Sequence, residues 1–244
     1  MNFLELLKQG NLIGAHRGAR SIAPENTLRS MEQSLRYCDF IELDVQLSRD
    51  EVPVIMHDDT LNRTSNVKGR VCNFTLDELQ KFDYGSWYDG VYEPLLTLGI
   101  ALEFIKQNRI FLNIEIKDIH NNFSDEKVVG IVLKEIQKCG VQDLVIISSF
   151  RASYLSTCRD IIPNIPTALL VEDKHPKELL KCLAELKVDA YNMSDELVDK
   201  EQVAMLKDAG YFINVYTVNG IARRDELFAM GVTGVFTDFL DFSD

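Results

Sequence analysis

The feature that most restricts the fold is a rhythm. Short, nearly unbroken apolar runs recur along the chain, most of them followed by a longer amphipathic run. The strand candidates are Leu12–Ala15, Phe40–Val45, Val52–Met56, Phe111–Ile116, Leu144–Ser148, Thr167–Val171, Ala190–Met193, Phe212–Val218 and Gly234–Thr237. Runs without polar alternation are what parallel strands covered on both faces require. Helical periodicity marks Asn26–Tyr37, Leu98–Gln107, Asp125–Lys138, Ala152–Arg159, Pro176–Leu186, Lys200–Ala209 and Ile221–Met230. Gly140, Gly210 and Gly231 stand where three of these helices stop. Alternation of this kind builds right-handed β/α units on a parallel sheet. Val52–Met56 follows its predecessor after a short polar turn, too short for a parallel crossover, so it returns antiparallel as a hairpin arm. Eight strands remain, and 244 residues suit a (β/α)8 TIM barrel of about 250 residues.

Residues 59–93 break the rhythm. They are polar and turn-rich, with one short helix at Leu76–Lys81 opened by a Thr75/Glu78 capping box. They read as a small insertion after the second barrel strand, within a single domain spanning residues 1–244. Insertions on that side of a barrel shape the substrate mouth.

Lys and Arg number 26 against 38 Asp and Glu, a net charge of -12. An acidic surface repels phosphate backbones and argues against nucleic-acid binding. No apolar stretch approaches the ~20 residues of a membrane span, and residues 1–10 read as a short amphipathic helix rather than a signal peptide. Stable membrane insertion is therefore not expected. Cys38, Cys72, Cys139, Cys158 and Cys182 form no C-x-x-C pair and read as reduced thiols of a cytoplasmic protein. Glu172, Asp173, Glu178 and Glu185 read as solvated surface.

Unusual polar residues concentrate at the ends of three strands. His16-Arg17-Gly18 closes the first and precedes Pro24-Glu25-Asn26-Thr27; Glu42-Leu43-Asp44 lies in the second; Glu115-Ile116-Lys117 ends the fourth run. Period 2 puts Glu42 and Asp44 on one face, and Asn113, Glu115 and Lys117 on one face. Carboxylates on the inner face of an apolar strand repel one another and resist burial, an objection that a divalent cation removes. Three carboxylates without a thiolate form a hard oxygen site, suited to Mg²⁺ or Ca²⁺, with Mn²⁺ an alternative to either, rather than Zn²⁺. With Arg17 and Lys117, a divalent cation and one phosphodiester, such a site is close to neutral. His16 and His57 end strands that lead to the same mouth, as a general acid and general base would. Asn26 reads either as a helix cap or as part of the site. Phe150, Tyr191, Asn192, Tyr216 and Asn219, near later strand ends, read singly as packing and together as sources of pocket lining.

This ordered set resembles the glycerophosphodiester phosphodiesterases, from His16 to about Asp241. It rests on His16-Arg17-Gly18, Pro24-Glu25-Asn26-Thr27, Glu42-Leu43-Asp44-Val45, His57-Asp58, Glu115-Ile116-Lys117 and Gly234-Val235-Phe236-Thr237-Asp238. The resemblance implies a barrel with an insertion, a metal held by Glu42, Asp44 and Glu115, and His16 and His57 as the catalytic pair. Arg17 and Lys117 would contact the phosphate, with Asn26 and Tyr216 on the substrate. The implied substrate is a glycerophosphodiester, cleaved to sn-glycerol 3-phosphate and an alcohol through a cyclic glycerol phosphate. Two departures stand out. The hairpin turn carries Asp50-Glu51 where relatives commonly have Asp-Gly, and Tyr216 stands where they usually carry Trp. Rival readings are a related barrel acting on lysophospholipids or phosphoinositides, a silent phosphate-binding barrel, and a sugar-phosphate isomerase or aldolase.

Overall fold

The computed structural model describes residues 1–18 and 20–240. Asp241, where the resemblance ends, lies outside the described residues. Nine strands form one sheet: β1 (Leu12–Ala15), β2 (Phe40–Leu47), β3 (Pro53–Ile55), β4 (Phe111–Ile116), β5 (Val145–Ser149), β6 (Thr167–Val171), β7 (Ala190–Ser194), β8 (Phe212–Tyr216) and β9 (Gly234–Thr237). Their order is β1-β9-β8-β7-β6-β5-β4-β2-β3, and β1 also pairs with β2, which closes the ring. All ring pairings are parallel; β3 alone runs antiparallel, with Val45 opposite Ile55 and Leu47 opposite Pro53. The structure is therefore the eight-stranded barrel expected, with the extra strand as a hairpin arm.

The outer layer is α2 (Leu28–Ser34), α5 (Leu98–Asn108), α6 (Asp125–Cys139), α7 (Ala152–Ile161), α8 (Leu179–Leu186), α9 (Lys200–Asp208) and α10 (Ile221–Met230), with α1 (Phe3–Leu7) at the N-terminus. Two helices of this layer start later than their periodicity suggests. The first is capped by Thr27, not entered at Asn26, and Asn26 sits in the left-handed region at φ 59°, outside any helix. The other, α8, begins at Leu179 rather than Pro176.

The bottom of the barrel is plugged. Phe3 of α1 meets Phe40 and Phe111 edge-on at 5.7 and 5.6 Å, and Phe40 meets Phe236 at 5.4 Å, the preferred aromatic geometry. Gly14 is required here, because a Cβ at that position would collide with the Phe40 ring. Among the described residues this packing fills the N-terminal end of the ring, and a cavity lies at the carboxyl ends of the strands.

Residues 59–93 fold over one side of that end of the barrel. They carry α3 (Leu76–Leu79), with the expected Thr75/Glu78 capping box, and α4 (Ser86–Asp89). Leu61, Val71, Leu79 and Tyr84 form a small core with Val54 and Met56 of the hairpin arm. Tyr88 donates to the Ser21 carbonyl at 2.6 Å, tying the insertion to the loop after β1.

The hairpin turn places a non-glycine residue in left-handed backbone. Glu51 has φ 66°, a conformation that costs a non-glycine residue about 1–2 kcal/mol. Its carboxylate accepts from Lys127 at 2.8 Å on the exposed surface, a modest return. Glu51→Gly is expected to stabilise the fold by about 0.5–1 kcal/mol once the freedom of glycine in the unfolded chain is subtracted. Urea unfolding measures this, and a lower midpoint would mean that the Lys127 pair outweighs the strain.

Candidate active site

The β2–β4 pairing sets the carboxylates. Asp44 lies opposite Glu115, and Glu42 opposite Asn113, so same-face placement within each strand becomes a cluster across the pair. Ligand atoms of Glu42, Asp44 and Glu115 lie within 4.8 Å of one another. Glu42 and Asp44 are buried, at 4% and 1% exposure. Burial, with Asp44 and Glu115 nearby, pushes the Glu42 carboxyl well above its usual range. Burial and Asp44 together push Glu115 up to about 7. Asp44 behaves oppositely: burial opposes its charge, but Lys117, His57 and Arg17 outweigh that and hold it ionised below the ordinary range.

The fit to a cation rests on one atom. Glu42 Oε2 accepts from the Arg17 backbone N–H at 2.8 Å, while Glu42 Oε1 is buried without a hydrogen-bond partner among the described residues. A buried carboxylate oxygen left in that state is costly, and a divalent ion satisfies it and removes the repulsion. The all-oxygen donor set suits a hard ion.

The cations are fixed beside this cluster. Lys117 Nζ lies 2.6 Å from Glu115 and 3.4 Å from Asp44. Arg17 lies 3.7 Å from Asp44 and 2.9 Å from Glu25. Arg17 and Asn26 both adopt left-handed backbone, φ 53° and 59°, and the Asn26 N–H donates to the Arg17 carbonyl at 2.9 Å. Asn26 Nδ2 in turn donates to Asp44 Oδ2 at 2.9 Å. Its amide is spent on orienting a carboxylate, and strained backbone of this kind collects at working sites.

Each histidine has its own carboxylate. His16 Nδ1 pairs with Asp238 at 2.7 Å, and His57 Nδ1 with Asp58 at 2.8 Å. Burial, reinforced by Lys117 and Arg17, lowers the His57 imidazole below its ordinary value. Arg63 Nε donates to Asp58 and its Nη1 to Glu25, at 2.9 and 2.7 Å. Buried Gln46, the next inward residue after Asp44, donates to the carbonyls of Met56, His57 and Asp58 and so fixes the histidine's backbone. Asn219 donates to Asp238 at 3.1 Å. By contrast His120 is exposed on Asp118, and His175 is held by the Tyr191 hydroxyl and the Leu197 carbonyl.

His16, Arg17, Glu42, His57, Glu115 and Lys117 line one cavity of about 410 Å³, with Phe150, Leu170, Glu172, Tyr216 and Phe236 on its remaining wall. Tyr216 contributes its ring, since its hydroxyl donates to the Val171 carbonyl at 2.6 Å. Glu172 lines the cavity as well as meeting solvent. Its polar sequence context, Glu172-Asp173-Lys174-His175, looks like any surface loop and carries no sign of this. Arg63 was equally invisible in sequence, since nothing local joins it to Glu25. Asp58 and Asp238 lie in the quoted motifs, but their partners are set by the fold.

A mouth that gathers two histidines, two cations and clustered carboxylates at the carboxyl ends of barrel strands is where enzymes of this fold carry their sites. The comparisons place it further. Residues 16–242 match the glycerophosphoryl diester phosphodiesterase family. A glycerophosphodiester phosphodiesterase of Bacillus altitudinis is 35% identical, over 94% of this chain and 95% of that protein. One from Bacillus subtilis is 32% identical, over 96% and 87%. The solved structure of an Oleispira antarctica phosphodiesterase, in complex with its product sn-glycerol-3-phosphate, superposes with a TM-score of 0.90 at 31% identity. The alignment covers 96% of this chain and 95% of that one. The chain belongs to the glycerophosphoryl diester phosphodiesterase family.

The Arg63 bridge gives a pH test. Arg63, aided by His57, lowers Asp58 to about 2 despite partial burial. Burial opposes the charge on Glu25, but Arg63 and Arg17 still hold it below its usual value. The unfolded carboxyls titrate near about 4. Depressed folded values stabilise above that pH, and the contribution is lost as pH falls toward about 2. Arg63→Ala should therefore lower stability at pH 7 and flatten its decline between about pH 5 and pH 2.5. Equal acid losses in variant and parent, by urea unfolding, would contradict this.

Proposed function

We propose that the chain hydrolyses glycerophosphodiesters to sn-glycerol 3-phosphate and an alcohol, with a divalent cation, Mg²⁺ or Ca²⁺, at Glu42, Asp44 and Glu115. The observation that carries this reading is the meeting of two carboxylate-held histidines, two fixed cations and Glu42 and Glu115 on one cavity, with Asp44 buried against those two carboxylates. A bound divalent ion would supply positive charge to a phosphoryl oxygen.

The chain's own residues do the rest. Arg17 and Lys117, both kept charged by their carboxylate neighbours, receive the phosphodiester and offset charge that grows on its oxygens. With Asp58 and Asp238 accepting from the Nδ1 atoms of their histidines, each Nε2 is the nitrogen that would handle the substrate's protons; that of His16 accepts from Arg17 Nε at 3.3 Å, an arginine that would turn to the phosphodiester when it binds. One histidine then takes a proton from the attacking hydroxyl or water, and the other returns one to the leaving alcohol. Tyr216, Phe150 and Leu170 wall the pocket and limit water around the alcohol. Five free cysteines support placing the protein in a reducing compartment, the cytoplasm. Among the described residues no helix is long and apolar enough to cross a membrane.

Hydrolysis of glycerophosphocholine should vanish in chelator and return with Mg²⁺ or Ca²⁺. His16→Ala and His57→Ala should each lower kcat by about 10²–10⁴-fold with little change in KM, whereas His120→Ala should match the parent. Full turnover in chelator, or in either inner-histidine variant, would refute the reading.

A further inference from the structure

The cavity is chemically polarised. At one end, Arg17 and Lys117 stand beside the carboxylate cluster. Beyond them the lining is aromatic and then acidic. The Phe150 and Tyr216 rings meet edge-on, 6.2 Å apart at 87°. Lys117 Nζ lies 5.9 Å from the Phe150 centroid, so the rings begin where the phosphate-binding cations end. Tyr216 is pinned to the Val171 carbonyl, and Glu172 follows Val171 directly at the end of β6. Burial raises the Tyr216 phenol, and the charges of Glu172 and Asp173 raise it further, which places both carboxylates within electrostatic reach of the ring.

These two carboxylates differ from the others at the mouth. Glu25, Asp58, Glu115 and Asp238 are each paired with a cation or a histidine. Glu172 and Asp173 have no ion pair or hydrogen bond among the described residues, although Glu172 lines the cavity. Unpaired negative charge beside exposed aromatic rings attracts an organic ammonium group through Coulomb and cation–π terms. It repels an anionic group.

We propose that the β6 end of the cavity is a head-group subsite for alcohols bearing an ammonium group, and that Glu172 sets that preference. The inference rests on the diester hydrolysis proposed above. A glycerophosphodiester of such an alcohol is itself polarised, negative at phosphate and positive at the head group. It would lie with its phosphate at Arg17 and Lys117 and its ammonium between the Phe150–Tyr216 rings and Glu172. The same field disfavours diesters whose alcohol carries a carboxylate or a second phosphate.

The test compares kcat/KM for glycerophosphocholine with that for glycerophosphoglycerol, whose alcohol is neutral, in the metal-loaded parent, Glu172→Gln and Glu172→Lys. The parent should prefer the choline diester, and the preference should weaken as salt is raised. Glu172→Gln should cut the choline-to-glycerol ratio by about three- to tenfold, the range of a partly exposed charge contact, and Glu172→Lys should reverse it. A ratio unmoved by both substitutions would overturn the subsite. An equal loss on both diesters would place Glu172 on the shared glycerol half and overturn it as well. In both cases the parent still cleaves the diesters, so the hydrolase reading survives. Cleavage of neither diester by the parent would reject both.

Discussion

The structure depends on three carboxylates gathered where the fold least tolerates charge. Every residue of β2 is buried, yet two of its inward positions are Glu42 and Asp44, and its neighbour presents Glu115 in register with Asp44. Left alone, such a group repels itself and loses hydration, each effect costing several kcal/mol. The cluster is tolerated because its surroundings are built around it. Lys117 and Arg17 offset part of the charge, Asn26 and the Arg17 backbone donate hydrogen bonds, and two of the three carboxyls shift toward the protonated form. What remains is the unsatisfied Glu42 oxygen, a hard donor of the kind that a divalent cation would satisfy.

Much of the surrounding detail is arranged around these carboxylates. The left-handed turns at Arg17 and Asn26 bring donors to them. Gln46 continues the inward row of β2 and holds the His57 backbone, so the strand that carries two carboxylates also positions a histidine. The aromatic plug at the bottom fills the other end of the ring. At this mouth of an acidic chain, cations face inward and most neighbouring carboxylates are already paired, so the local field would favour an anion.

The sequence reads well where information is local. β1, β4, β6, β9 and α10 have the bounds their apolar runs indicate, because each run is covered on both faces or along one stripe. Period 2 puts Glu42 with Asp44 and Glu115 with Lys117, since strand geometry needs only neighbours along the chain. What pairs across the barrel is different in kind. Strand register decides that Asp44 faces Glu115. Closure of the ring brings Asp238 to His16, and the folded insertion brings Arg63 to Glu25. None of these has a sequence signature short of the fold itself. Asn26 shows the limit in another way: its helix-start pattern is real, but the cap is Thr27, and the Asn26 amide is committed to Asp44. Glu172 reads as surface because a charged residue after a strand usually is.

On this reading the buried carboxylates are held for a cation at the expense of stability without one. Thermal melting of the parent and of Glu42→Gln, each in chelator and with a titration of Ca²⁺ or Mg²⁺, tests it most directly. The parent should rise in Tm with metal, by the equivalent of about 2.7 kcal/mol at one hundred times Kd. Glu42→Gln should melt at or above the parent in chelator, having replaced a carboxyl whose ionisation burial and its neighbours oppose, and should gain little from metal. A parent indifferent to both ions, or a variant that gains as much as the parent, would contradict the account.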